Sequence, residues 1–221
     1  MEVRMKKSRR HTILQLGAAF LCLILIVGLS AQPAGAKKFD KAAAKKKVSA
    51  TYKKLSDGVL VIYKNKNNTA LKLTATMRFR DGDKNDISVE KQSNLCFGAK
   101  STAAFFFAAP RDEYGNVVNY TSYKGSFSVA RSKYTSRAKN ITVSTELNAI
   151  EGTFAAVNTG NKTLSNIHAT ILFYDGAGNL LGCSPKYLNC FEKNSIDQFT
   201  VSYADRPWQP GKAKVYIDWA F

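Results

Sequence analysis

Between residues 71 and 80, apolar and polar side chains alternate without a break: Leu71, Leu73, Ala75, Met77 and Phe79 against Lys72, Thr74, Thr76, Arg78 and Arg80. Successive side chains of a β-strand point to opposite faces, so this period of two predicts a strand with one face on a core and the other in water. The pattern returns at Ile167, Ala169, Ile171 and Phe173, with His168, Thr170, Leu172 and Tyr174 on the face expected to meet solvent. Near the C-terminus, Val215, Ile217, Trp219 and Phe221 read as inward, against Lys214, Tyr216 and Asp218. Shorter runs of the same kind predict six strands in each half. They fall near 48–53, 59–65, 71–80, 87–93, 102–108 and 124–131, then 141–147, 152–158, 164–174, 179–185, 196–203 and 212–220. The only helix candidate after the first 36 residues is 39–47, where Ala42, Ala43 and Ala44 are strong helix formers.

The two halves are copies of each other. At an offset of 94 residues, Ala75-Thr76 falls on Ala169-Thr170, Phe79 on Phe173, Asp81-Gly82 on Asp175-Gly176, and Cys96-Phe97 on Cys190-Phe191. Their inward positions coincide, and a slip of one residue would have turned every side chain over. Many short strands, frequent turn signals and no helical period predict an all-β chain of two antiparallel β-sandwiches, 48–131 and 141–221, joined by a polar linker at 132–140. Asp81-Gly82-Asp83 and Asp175-Gly176-Ala177-Gly178-Asn179 supply the hairpin turns, with residues that tolerate positive φ.

The segment Ile171-Leu172-Phe173-Tyr174-Asp175, followed by Gly176-Ala177-Gly178-Asn179, resembles the signature of the FxLYD family of bacterial and archaeal Ig-like β-sandwich domains. The likeness covers roughly residues 141–221 and, more faintly, 48–131. Ile171 stands where the name has Phe, Phe173 where it has Leu, and the first copy reads Met77-Arg78-Phe79-Arg80-Asp81. The resemblance implies two tandem Ig-like domains of a secreted or surface module, with no catalytic residues to carry over.

Residues 1–36 have the three parts of an export signal: basic Arg4, Lys6, Lys7, Arg9 and Arg10, an apolar run from Ile13 to Leu29, and Ala34-Gly35-Ala36 as a cleavage site. Cleavage there gives a secreted or cell-surface protein, and the alternative is an uncleaved N-terminal membrane anchor. Charge is then unevenly shared. Residues 37–140 hold 22 basic and 8 acidic side chains, whereas residues 141–221 hold 6 and 7. A lysine-rich arm at 37–47, running on into the first strand, contributes Lys37, Lys38, Lys41, Lys45, Lys46, Lys47, Lys53 and Lys54 around the single acid Asp40. In an exported chain such a cluster points to anionic lipid headgroups or wall polymers. Nucleic acid is not expected as a partner, since export removes it. The other reading is a solvated arm that keeps the chain soluble.

Candidate chemistry is sparse. His168 is the only imidazole beyond the signal, and with no nucleophile or orienting acid at a telling spacing it reads as a surface residue. Asp81-Gly82-Asp83-Lys84-Asn85 begins like a calcium loop, but Asp86 replaces the sixth-position glycine and Gln92 the twelfth-position glutamate. Neither a cofactor nor a metal is expected, and the chain reads as a non-enzyme. Three cysteines follow the signal: Cys96 and Cys190 at equivalent sites suited to packing, and Cys183, for which a Cys183–Cys190 disulfide is the most natural bridge within the chain. Tyr114, Tyr120, Tyr123 and Trp208 lie among Gly, Pro and Asn, where aromatic rings either contact a ligand or lid the ends of a core. The expectation is a non-catalytic binding or structural module at the cell envelope, with a protein or glycan partner. The alternative is a carbohydrate-binding module using those loop aromatics.

Overall fold

The computed structural model describes residues 38–221; the segment 1–36 expected to be an export signal and Lys37 lie outside them. Asp40 caps a short helix, α1 (Lys41–Lys46), by accepting the Ala43 amide on its side chain at 2.9 Å. Six strands follow: β1 (Val48–Leu55), β2 (Gly58–Asn65), β3 (Leu71–Arg80), β4 (Asp86–Phe97), β5 (Thr102–Ala108) and β6 (Ser122–Arg131). After a 3-10 turn at Ala138–Asn140 come β7 (Ile141–Leu147), β8 (Glu151–Asn158), β9 (Ile167–Tyr174), β10 (Leu180–Leu188), β11 (Ile196–Ser202) and β12 (Lys212–Ala220). All pairings are antiparallel.

The twelve strands make four three-stranded sheets, β1-β2-β5 with β4-β3-β6 in the first half and β11-β8-β7 with β10-β9-β12 in the second. Replacing each strand of the first half by the one six further on reproduces the second, so the two copies share one topology. Each pair of sheets closes on its own core. In the first sandwich Leu71, Leu73, Ala75, Met77 and Phe79 of β3 are fully buried, facing Val59, Val61, Tyr63, Phe105 and Phe107. In the second, Ile167, Ala169, Ile171 and Phe173 pack with Phe154, Phe199 and Tyr203.

The middle of the outward face of β9 does not meet water. Leu172 and Thr170 are fully buried, because the outer face of β10-β9-β12 lies against the outer face of β1-β2-β5. Leu60 and Ala104 from the first sandwich join Leu172 and Cys183 from the second, with Ile62, Phe106 and Tyr216 packed around them. Phe106 thus faces the second sandwich while Phe105 and Phe107 fill the first. Asp40–Phe221 forms one compact unit.

The helix α1 falls within the candidate 39–47, and its Ala44 is buried where it packs on β6 and β1; the expectations for β12 and for the hairpin turns are corrected. The linker is also held in place, with the Arg137 amide donating to the Ala220 carbonyl at 2.8 Å and Tyr134 stacked on Phe221 at 4.2 Å. On β12 a bulge between Ile217 and Trp219 shifts the register by one, so Trp219 leaves the core side and Ala220 enters it. In the hairpin turns, positive φ falls on Lys84 and Gly178, three residues after Asp81 and Asp175, and not on Gly82 or Gly176.

Candidate functional site

Two surfaces carry chemistry. The first is the junction between the sandwiches. β5 is an edge strand, so its outward amides and carbonyls need partners. Asp218 of β12 accepts the Ala104 amide at 2.6 Å, the Thr170 hydroxyl donates to the Ala104 carbonyl at 3.1 Å, and the Gln92 side chain donates to the Phe106 carbonyl at 2.6 Å. The Asn94 side chain also donates to the Asp218 carbonyl at 2.6 Å. The first sandwich's free edge is thereby tied to the second.

Asp218 is fully buried and has further partners. Thr170 Oγ1 donates to its carboxylate at 2.6 Å, and His168 Nδ1 lies 2.9 Å from the same oxygen. Burial pushes the Asp218 carboxyl above its ordinary range, while His168, the Ala104 amide and the Thr170 hydroxyl pull it back. His168 is therefore not an isolated surface residue. Its side chain is 12% exposed, its ring stacks on Trp219 at 4.3 Å, and it meets Tyr187 edge-on at 4.8 Å. The orienting acid that its sequence neighbourhood lacks comes from 50 residues away, on the adjacent strand.

Tyr187, His168 and Trp219 form one cross-strand row, because His168 pairs with Tyr187 of β10 and with Trp219 of β12. This row borders a cleft of about 400 Å³, whose opposite wall holds Gln92 and Phe106 of the first sandwich.

The second surface is the outer face of β4-β3-β6, the counterpart of the face buried at the junction. Here Thr74 occupies the position of His168 and pairs with Ser93 and Ser128, so the aromatic row is replaced by hydroxyls. Lys72, Arg78 and Arg80 of β3, Lys91 of β4 and Lys124 of β6 surround that row. The one acid at its margin, Asp86, pairs with Arg80 at 2.9 Å and with Arg78, which hold its carboxyl below the ordinary range. Of the lysines singled out by the sequence, Lys38, Lys41, Lys45, Lys46, Lys47, Lys53 and Lys54 are exposed. Lys54 lies over the Tyr120 ring at 4.9 Å and Lys45 over Phe127 at 5.2 Å.

The aromatics proposed as ligand contacts are not brought together. Tyr120 packs on Phe79 at 4.9 Å and Trp208 on Phe173 at 5.7 Å, and those phenylalanines are equivalent in the two copies. Both rings therefore lid a core. Trp208 lies so close over Gly182 that a Cβ there would meet its ring at 2.0 Å. Tyr123 is on β6, 6.4 Å from Tyr52, and only Tyr114 stands out at 81% exposure.

The Cys183–Cys190 bridge is not formed, because the two side chains belong to different clusters. Cys183 sits in the junction and Cys190 in the second core, and Cys96, Cys183 and Cys190 are all free and buried. Burial pushes the Cys183 thiol up to about 12 and raises the other two as well, which keeps all three from acting as thiolates. Among the described residues, no group of three or more His, Cys, Asp or Glu is arranged to hold a metal ion, and no helix is long and apolar enough to cross a membrane.

No protein-family model and no curated protein matches this chain. Among solved structures, red sea bream transglutaminase aligns at 16% identity and a TM-score of 0.27, covering 85% of this chain and 30% of that one. A score that low defines neither a shared fold nor a shared activity.

Proposed function

We propose that this chain is a non-catalytic binding module of the cell envelope or exterior, held to an anionic surface by its N-terminal sandwich. The observation that carries this reading is the divergence of two equivalent sheet faces. In the second copy the middle of the outer face of β10-β9-β12 is covered at the junction, with buried Leu172 at the position of Arg78. In the first copy the corresponding face is open and carries five cations against one acid. A terminal repeat needs a polar outer face for solubility, but balanced charge would serve that purpose. A one-sided excess suits an anionic envelope, and the exposed lysines of α1 and β1 add to the positive charge of the same sandwich. The expected export signal, if it acts as such, delivers the chain to that setting.

The test is retention on isolated cell envelopes across a salt gradient. Replacing Lys41, Lys45, Lys46, Lys53 and Lys54 by glutamine, alone and with Lys72, Lys91 and Lys124, lowers the salt needed for release in two steps. Retention unchanged by both sets of substitutions contradicts the reading.

A further inference from the structure

We propose that the cleft between the two sandwiches is a carbohydrate-binding subsite, in which a sugar ring stacks on Tyr187 and is hydrogen-bonded by His168 and Gln92. The inference rests on the reading of the chain as a binding module, but not on its basic surface.

Tyr187 is 63% exposed although it belongs to a strand, and among the described residues its only aromatic neighbours are His168 and Trp219 of the same row. A ring kept in water at the mouth of a cleft offers an apolar plate beside polar groups. The polar groups are also placed. With Nδ1 committed to Asp218, His168 presents Nε2, which has no hydrogen-bond partner among the described residues. Gln92 spends one amide N–H on the Phe106 carbonyl and keeps the other together with its carbonyl oxygen. A ring nitrogen and an amide flanking an aromatic plate match a pyranose, which has an apolar C–H face and a rim of hydroxyls that both donate and accept.

An extended peptide fits less well, for a reason visible in both walls. A peptide adding to a sheet edge needs free backbone groups. On β5, the Ala104 amide and carbonyl and the Phe106 carbonyl are already bonded to Asp218, Thr170 and Gln92. On β10, Pro185 lines the cleft and has no amide to offer. An anionic ligand is not selected either, since among the described residues Lys186 is the only lysine or arginine at the cleft and lies over the Phe199 ring at 5.2 Å. A cleft of about 400 Å³ is at the small end for ligand sites, the scale of one or two sugar units.

The experiment is an array of neutral oligosaccharides probed at about 1 M salt, where exposed charges are screened within about 3 Å, followed by calorimetry on the best-bound oligosaccharide. Tyr187→Ala weakens that binding by about ten-fold or more, as expected for a stacking anchor, whereas Tyr114→Ala leaves it unchanged. Thermal melts of both variants match the parent, because both side chains are exposed. An array with no neutral hit, or a hit whose affinity survives Tyr187→Ala, overturns the proposal. Neither result bears on envelope retention, which is lost or kept through the lysines.

Discussion

The Asp218 carboxylate on the last strand accepts a 2.6 Å hydrogen bond from the amide of Ala104, 114 residues earlier and in the other sandwich. This contact terminates the free edge of β5 with a side chain from β12. Asp218→Ala leaves the amide, the Thr170 hydroxyl and His168 without their shared acceptor. Removing one partner of a buried charged network costs about 3 kcal/mol, whereas Asp218→Asn keeps a carbonyl oxygen and costs less. Urea denaturation measures both. A loss below about 0.5 kcal/mol for the alanine variant, the scale of an ordinary surface substitution, contradicts the role given to this residue.

The duplication also locates strain. Lys84 and Gly178 occupy the same place after Asp81 and Asp175, and both have positive φ, 67° and 86°. In each loop the Asp side chain accepts the amide of the following Asn, Asn85 or Asn179, which fixes the turn. The third such loop, Asp112 to Asn116, has Gly115 at that position with φ 84°. Of these three loops among the described residues, only that of Lys84 takes the left-handed conformation with a Cβ. Lys84→Gly therefore stabilises the chain by about 0.5–1 kcal/mol, the relief of left-handed strain less the added freedom of glycine when unfolded. Chemical denaturation of the parent and variant tests the sign.

The three thiols report on packing. Because Cys96, Cys183 and Cys190 are buried and each thiol is raised by burial, none reacts with a thiol reagent at neutral pH while the protein is folded. All three react after unfolding without reductant. A count of one after unfolding would show that two are joined.

The alternation of side chains made the strands and their core faces legible: Leu71 to Phe79 and Ile167 to Phe173 are buried as the period of two requires. Alternation distinguishes two faces but does not say what covers each one, so by alternation alone Thr170 and Leu172 face solvent. A comparison of the copies held the missing signal. Arg78 in the first is Leu172 in the second, and Thr74 is His168, so the second outer face is markedly less polar. Trp219 and Asp218 were misplaced for a different reason: the bulge in β12 breaks the period locally, and nothing in Ile217-Asp218-Trp219 announces it.

Another paired feature lay just off the main alignment. Asn65 and Asn158, both fully buried at the ends of β2 and β8, donate to the backbone of the following loop and of the Phe97 and Phe191 segments. Their offset is 93 and not 94, because Asn158 and Phe191 are 33 positions apart where Asn65 and Phe97 are 32. The cross-repeat group around Asp218 had no counterpart to compare with. It arises only where one copy meets the other.

The most direct test of the central claim is residue-resolved NMR of the protein titrated with inorganic polyphosphate. The account predicts salt-sensitive chemical-shift changes at α1, β3 and β6, centred on Lys72, Arg78 and Lys124, with β7, β8 and β11 unaffected. Absence of binding at low salt, or changes confined to the second sandwich, would contradict it.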